Sequence, residues 1–330
     1  MREFSFERAP SVEALSAALL AEPDAKIIAG GTNLVDLMKE GVERPAKLIE
    51  INRVDGLSEI EARADGSVRL GALVSNSACA WHEAVQARFP MVSQALLHGA
   101  TTQLRNMATI GGNLLQKTRC PYYTDLSAPC NRRRNGTGCA AIGGANRMCA
   151  VLGTNERCIA AHPSDLCVAL VALDAVVELQ NGTERRQVAL RDFYLLPGED
   201  PSDEYAMRPG DVIVAVEIPA LPHASRSTYL KLRDRTSYAF ALVSVAAAVA
   251  LDGDRIADIR LALGGVGSVP WRAGAAEDVL RGQVPTQDRV REATEAVFAD
   301  AAPRSGNAFK VELAKRAISR VVREHVEAAR

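Results

Sequence analysis

Six of the seven cysteines in this 330-residue chain fall between residues 120 and 167, in a stretch rich in Gly, Asn and Arg. A disulfide framework explains that density poorly. The total is odd, no secretory signal precedes the stretch, and a chain of this length builds its core without staples. The thiols are therefore read as metal ligands. Residues 116–160 show little periodicity, and a loop of about 45 residues inside a compact domain is either functional or disordered. With the cysteines present, the segment reads as a cofactor-binding insertion.

Composition narrows the functions further. Acidic and basic side chains nearly cancel, leaving a formal charge of −1 with 24% charged residues, so no net basic field draws the chain to nucleic acid or anionic lipid. No apolar run approaches the ~20 residues of a membrane helix, and the first residues lack the regions of a signal peptide. The expectation is a folded chain of two or three domains, with no membrane span and no nucleic-acid partner.

Along the chain, Ser11 is placed to cap a helix carrying Val12, Leu15, Ala18 and Leu19 at helical spacing. A short strand at 26–29 runs into Gly30-Gly-Thr-Asn33 and a helix closed at Gly41, and residues 47–51 return as a strand. Residues 1–55 thus form a small α/β unit. From 56 to 222 the pattern mixes an extended segment at 67–74 with helices at 79–87, 91–98 and 165–173. Past Pro222, two apolar runs flank an Asp252-Gly-Asp254 turn as a hairpin, and helices at 286–299 and 309–322 close a separate α+β domain over 223–330.

The turn Gly30-Gly-Thr-Asn33 frees backbone N–H groups and lets a pyrophosphate approach closely. It is neither a Rossmann fingerprint nor a P-loop, and alone it reads as a tight turn. A second turn, Ala108-Thr-Ile-Gly-Gly-Asn113, repeats the small-residue pattern from another part of the chain, so that two loops can clamp one dinucleotide. To these add Pro163-Ser-Asp165, Gly210-Asp-Val-Ile213 before Val216-Glu-Ile-Pro219, and Tyr229-Leu-Lys-Leu-Arg233. In this order, the five motifs make almost the whole chain resemble the FAD-binding subunit of molybdenum hydroxylases.

The resemblance implies an α+β chain: a two-subdomain FAD-binding fold of the PCMH/vanillyl-alcohol-oxidase type, then a C-terminal domain of antiparallel sheet and helices. It implies FAD held by Ala29, Gly30, Gly31, Thr32, Asn33 and Leu34 and by Ala108, Thr109, Gly111, Gly112 and Asn113. Asp165 would lie near the ribityl hydroxyls, Val212 and Ile213 beside the flavin, and Lys231 at its carbonyl edge. Tyr238 is a candidate for stacking over the ring, with strand packing the alternative.

Most members of that family lack cysteines here. Arg119-Cys-Pro-Tyr-Tyr123, Pro129-Cys-Asn-Arg132, Gly136-Thr-Gly-Cys139 and Cys158 ahead of His162-Pro-Ser-Asp165 resemble a subgroup with an added [4Fe–4S] cluster. It includes the flavin subunit of periplasmic aldehyde oxidoreductase and, more distantly, that of 4-hydroxybenzoyl-CoA reductase. The implied ligands are Cys120, Cys130, Cys139 and Cys158, with Cys149 the rival of Cys158. Cys79 and Cys167 read as buried small hydrophobes. Arg119, Arg132, Arg133 and Arg134 would offset the cluster's charge, and the Gly136 and Gly138 N–H groups would bond to its sulfurs. Structural zinc sites pair their cysteines closely, whereas these are separated by nine, eight and eighteen residues. Without the resemblance, zinc and iron–sulfur both stay open.

By resemblance, substrate is oxidised at a molybdopterin site in a large subunit. Electrons pass through two [2Fe–2S] clusters of a small subunit to FAD in this chain and on to an external acceptor, so no substrate-oxidising residue is expected here. Aldehydes are the expected substrates, and the acceptor is expected to be something other than NAD⁺. The compartment would be the periplasm if a signal-bearing partner exports the complex, and otherwise the cytoplasm. A stand-alone FAD oxidoreductase of the same fold is a second reading, but it leaves the cysteines without purpose. A zinc-stabilised nucleic-acid-binding module using Arg132-Arg-Arg134 is a third, and the near-neutral charge argues against it.

Overall fold

The computed structural model describes residues 1–328 and shows three sheets with helices packed on them, the expected α+β architecture. Strands β1 (Ser5–Arg8), β2 (Ala25–Ile28) and β3 (Lys47–Glu50) form a parallel sheet ordered β1-β3-β2. Ser11 caps the helix Val12–Ala21 as expected, its Oγ accepting from Ala14 N at 3.2 Å. Strands β4 (Ile60–Ala62), β5 (Val68–Gly71), β6 (Val176–Asn181), β7 (Glu184–Ala189) and β8 (Val212–Ile218) form an antiparallel sheet ordered β4-β5-β8-β6-β7.

The first sheet does not close its own core. Val12, Leu15, Ile49 and Ile51 pack with Leu57, Leu73, Val212 and Val214, so β8 completes it. Ile213, Val216 and Ile218 of the same strand belong to the larger central core. Burial on both faces is why β8 reads as an almost uninterrupted apolar run.

Strands β9 (Thr228–Leu232), β10 (Val243–Asp252), β11 (Arg255–Gly264) and β12 (Trp271–Arg272) make the third sheet, antiparallel and ordered β12-β11-β10-β9. The Asp-Gly hairpin is where it was expected, with Gly253 at φ +60°. Helices Gly274–Leu280, Gln287–Val297 and Phe309–Ala328 cover one face. On the other face Ala246, Ala248 and Ala262 meet the helix Asp165–Ala172, which is buried along nearly its whole length.

Two helical expectations change. The helix over 79–87 is two helices, Asn76–Trp81 and Glu83–Arg88, with His82 extended between them. The Ala80 carbonyl is taken by Ser93 Oγ at 2.6 Å and Gln86 Nε2 at 3.2 Å, side-chain donors that replace the continuing helical ladder. The last helix runs on to Ala328 because its apolar face continues through Val326.

The insertion contains one short helix, Pro121–Thr124, and a bridge between Cys130 and Cys139. Arg133 organises it by donating to the carbonyls of Tyr122, Tyr123, Asp125 and Ala128. Lys310 of the last helix, fully buried, donates to Cys149 O at 3.0 Å and Gly265 O at 2.7 Å, fastening the insertion to the third sheet. No helix among the described residues is long and apolar enough to cross a membrane.

Leu15 is fully buried in the shared core. Leu15→Ala is expected to cost about 2–5 kcal/mol. Because β8 shares that core, hydrogen exchange should accelerate in β3 and β8 together; acceleration confined to residues 5–50 would contradict this packing.

Candidate cofactor cleft and cysteine pocket

A cleft of about 390 Å³ opens where the first two sheets meet. Ala29, Gly30, Gly31, Thr32, Asn33 and Leu34 line one side, Thr109, Gly111 and Gly112 the other, and Val212 and Ile213 its apolar wall. Ala108 and Asn113 flank the second turn, whose short helix Ile110–Leu114 is capped by Thr109 Oγ1 accepting from Gly112 N at 3.2 Å. Gly30 is there for a steric reason: a β-carbon would stand 1.7 Å from the Met107 carbonyl oxygen. Gly31 takes φ +69°, which a side chain disfavours. Asn33 Oδ1 accepts from Lys117 N at 3.0 Å, and its buried Nδ2 has no partner. A buried amide left without an acceptor, beside backbone stripped of side chains, fits a polar ligand such as a dinucleotide.

Asp165 and Lys231 meet each other outside that lining. Lys231 Nζ donates to Asp165 Oδ2 at 2.6 Å and Tyr229 Oη to Oδ1 at 2.6 Å. Asp165 lines a second cavity of about 190 Å³, with Cys120, Cys149, His162 and Phe240. Asn113 links the two regions by accepting from Ser164 Oγ at 2.6 Å. Tyr238 is 61% exposed at φ +51° and lines neither cavity.

Cys120, Cys130, Cys139 and Cys158 all line one small cavity inside the insertion. Among the described residues, no three or more His, Cys, Asp or Glu side chains are grouped closely enough to hold a metal ion. Ala160 N donates to the Cys158 sulfur at 3.5 Å. The neighbouring Cys149 and the backbone N–H groups of Tyr122 and Tyr123 pull the Cys120 thiol down, while burial pushes Cys130 and Cys139 up against the opposing N–H groups of Arg132 and Arg133 and of Ile159, Ala141 and Ile142. Gly136 and Gly138 are not the donors. Their N–H groups go to Asn135 Oδ1 and Asn131 Oδ1, which shape the turn instead. Cys149 lies outside this cavity and lines the neighbouring one with Cys120. The adjacent Cys120 and burial push the Cys149 thiol up. Burial raises Cys79 to about 12 and Cys167 to about 11, as expected of inert core thiols.

Two models of known families match, over nearly all of the chain: the FAD binding domain in molybdopterin dehydrogenase, over residues 2–221, and the CO dehydrogenase flavoprotein C-terminal domain, over 227–325. The chain belongs to the FAD-binding medium subunits of the molybdenum hydroxylase family. This medium subunit is 48% identical to the aldehyde oxidoreductase FAD-binding subunit PaoB of Escherichia coli (strain K12), over 98% of each chain. It is 26% identical to the glyceraldehyde dehydrogenase medium chain of Sulfolobus acidocaldarius, over 92% of this chain and 90% of that one. The carbon monoxide dehydrogenase of Hydrogenophaga pseudoflava shares its fold at a TM-score of 0.75 and 26% identity, over 97% of this chain and 96% of that one. FAD is therefore its cofactor and oxidoreductase its class.

Some residues at the medium subunit's cleft escaped the sequence reading. Lys117, Tyr205 and Met207 line it, and Tyr194 and Tyr205 hold the second turn from behind by donating to Leu114 O and Leu115 O at 3.1 Å. Lys117 follows the glycine turn closely, a faint signal. The tyrosines sit in loop-like sequence that carried none.

Gly30→Ala should cut FAD occupancy of the medium subunit to a small fraction of wild type with little change in far-UV circular dichroism; full occupancy would contradict the steric account. A pH effect follows from His162, whose ring packs edge-on to Tyr194 at 4.5 Å and whose Nε2 is buried without a partner. Burial, aided by Arg132, lowers it to about 3. The unfolded chain protonates this residue near its ordinary value and the folded ring only near 3, so stability present above about pH 6.5 is lost as pH falls between the two. His162→Gln should therefore remove about 2 kcal/mol of the wild-type loss between pH 7 and pH 5, read by chemical denaturation.

Proposed function

We propose that this medium subunit carries FAD and a [4Fe–4S] cluster in an aldehyde-oxidising molybdenum hydroxylase. It receives electrons from the [2Fe–2S] clusters of a small partner subunit and releases them from FAD to an external acceptor. The observation that carries the reading is the convergence of Cys120, Cys130, Cys139 and Cys158 on one cavity, with Ala160 N donating to the Cys158 sulfur and nearby backbone N–H groups favouring the thiolate at the other three. Such donors stabilise thiolate ligands and set cluster potential. The aldehyde reading rests on the likeness to PaoB, named as an aldehyde oxidoreductase subunit.

When bound, FAD supplies two-electron exchange and the cluster one-electron exchange. The chain's own residues bind and orient. The Gly30–Asn33 and Thr109–Gly112 backbones and the Asn33 amide would hold the pyrophosphate. Val212 and Ile213 would keep water from the apolar wall, and Lys231, paired with Asp165 beyond the cleft lining, would supply the cation for the carbonyl edge of the ring. Arg132, kept charged against burial by Glu204 and Cys158, offsets the thiolates. Substrate oxidation belongs to a molybdopterin-binding large subunit, and the compartment is the periplasm if a signal-bearing partner exports the complex and otherwise the cytoplasm.

The anaerobically purified chain should contain one FAD and about four irons, its broad visible absorption bleaching with dithionite. Cys120→Ser should lose the iron and keep some FAD. Zinc in place of iron, or unchanged iron in the variant, would sink the cluster assignment.

A further inference from the structure

Three charged side chains link the cleft to the cysteine cavity, and none lies in a recognised glycine motif. Glu204, 8% exposed, accepts from Lys117 Nζ on Oε1 at 2.5 Å and from Arg132 Nη1 on Oε2 at 2.7 Å. On one side, Lys117 and Tyr205 line the cleft. The Lys117 backbone N–H holds Asn33 Oδ1 at 3.0 Å, and its ammonium stands 5.2 Å from the Tyr205 ring centroid. On the other side, Arg132 lines the cysteine cavity together with Cys158. Charges are costly to take out of water, and an apolar brace would serve as well mechanically. Here two cations share one carboxylate, leaving a net positive charge between the two sites, well shielded from water at Arg132 and partly exposed at Lys117.

We propose that Glu204 is a positioning residue that couples the flavin cleft electrostatically to the cysteine cluster. It holds Arg132 at the cysteine cavity and Lys117 on the cleft, so that the potential of each centre responds to charge at the other. The inference rests on the cluster reading above. Reduction adds negative charge, and buried positive charge therefore raises a potential.

The test is a spectroelectrochemical titration of the anaerobic protein, with flavin followed by absorption and the cluster by electron paramagnetic resonance. Glu204→Gln keeps the shape and removes one negative charge, so both midpoint potentials should rise. Lys117→Gln removes a positive charge on the cleft side, so both should fall, the flavin's by more than the cluster's. Opposite signs in the two variants support the coupling. Should Glu204→Gln fail to load cofactors, Lys117→Gln reads the same coupling through the cluster's potential, because its side chain is 23% exposed and lies at the cleft. Potentials unchanged in a fully loaded variant would leave Glu204 a brace and overturn the proposal. Wild-type protein without iron would instead overturn the cluster reading, and the iron assay shows that before any titration.

Discussion

The Met107 carbonyl fills the space in which a β-carbon of residue 30 would stand, and the cleft depends on that contact. It seats the first glycine loop on the segment leading into the second. The second turn is in turn pinned to the segment that follows β5: Asn76 N donates to Ala108 O at 2.8 Å, Ile110 N to Val74 O at 2.9 Å and Gly111 N to Ala72 O at 2.8 Å. Two loops far apart in sequence thus face each other at a separation set by backbone, which cannot change rotamer. From below, β8 contributes to the cores of both flanking sheets and fixes the cleft's apolar wall.

The cysteine insertion solves a different problem. With almost no ladder or helix, its backbone groups need partners from elsewhere, and side chains supply them. Asn155 Oδ1 accepts from Arg157 N at 2.9 Å and Cys158 N at 3.0 Å, while its Nδ2 reaches Pro197 O at 2.7 Å. Asn307 Nδ2 donates to Ala150 O at 3.0 Å, and Asn146 Oδ1 accepts from Gly306 N at 2.8 Å. Hydrogen bonds of this kind contribute about 0.5–1.5 kcal/mol each, and those from charged donors such as Arg133 and Lys310 about 1.5–3. The abundance of Asn, Arg and Gly that marked the stretch in sequence is the chemistry that folds it. Several of its anchors come from the last domain.

What the sequence disclosed followed from local rules. Periodicity and capping located the helix after Ser11, the buried helix after Ser164 and the Asp-Gly hairpin, because each depends on residues a few positions apart. Both glycine turns were visible because a missing side chain leaves a mark in the sequence. Polar contacts across long separations left none: Lys117 pairs with Glu204 from 87 residues away, and Lys310 donates to the Cys149 carbonyl from 161. The break at His82 also escaped, since it depends on Ser93 capturing a carbonyl from the next helix. Gly136 and Gly138 were misread for a related reason. Two asparagine side chains claim their N–H groups, and only the folded turn shows it.

The choice between Cys149 and Cys158 turns on which cavity each residue lines. A thiol that ligates a metal must give up its proton. Cys149 lines the neighbouring cavity, away from Cys130, Cys139 and Cys158, and the adjacent Cys120 together with burial pushes its thiol up. Meanwhile the Cys149 carbonyl accepts from Lys310 and Asn307, which places this residue in the joint between insertion and C-terminal domain. Cys158 has the opposite surroundings: Ala160 N donates to its sulfur at 3.5 Å, and it shares the inner cavity with Arg132 and the other three cysteines. The proposed cluster therefore takes Cys158 as its fourth ligand and leaves Cys149 in the joint between insertion and C-terminal domain.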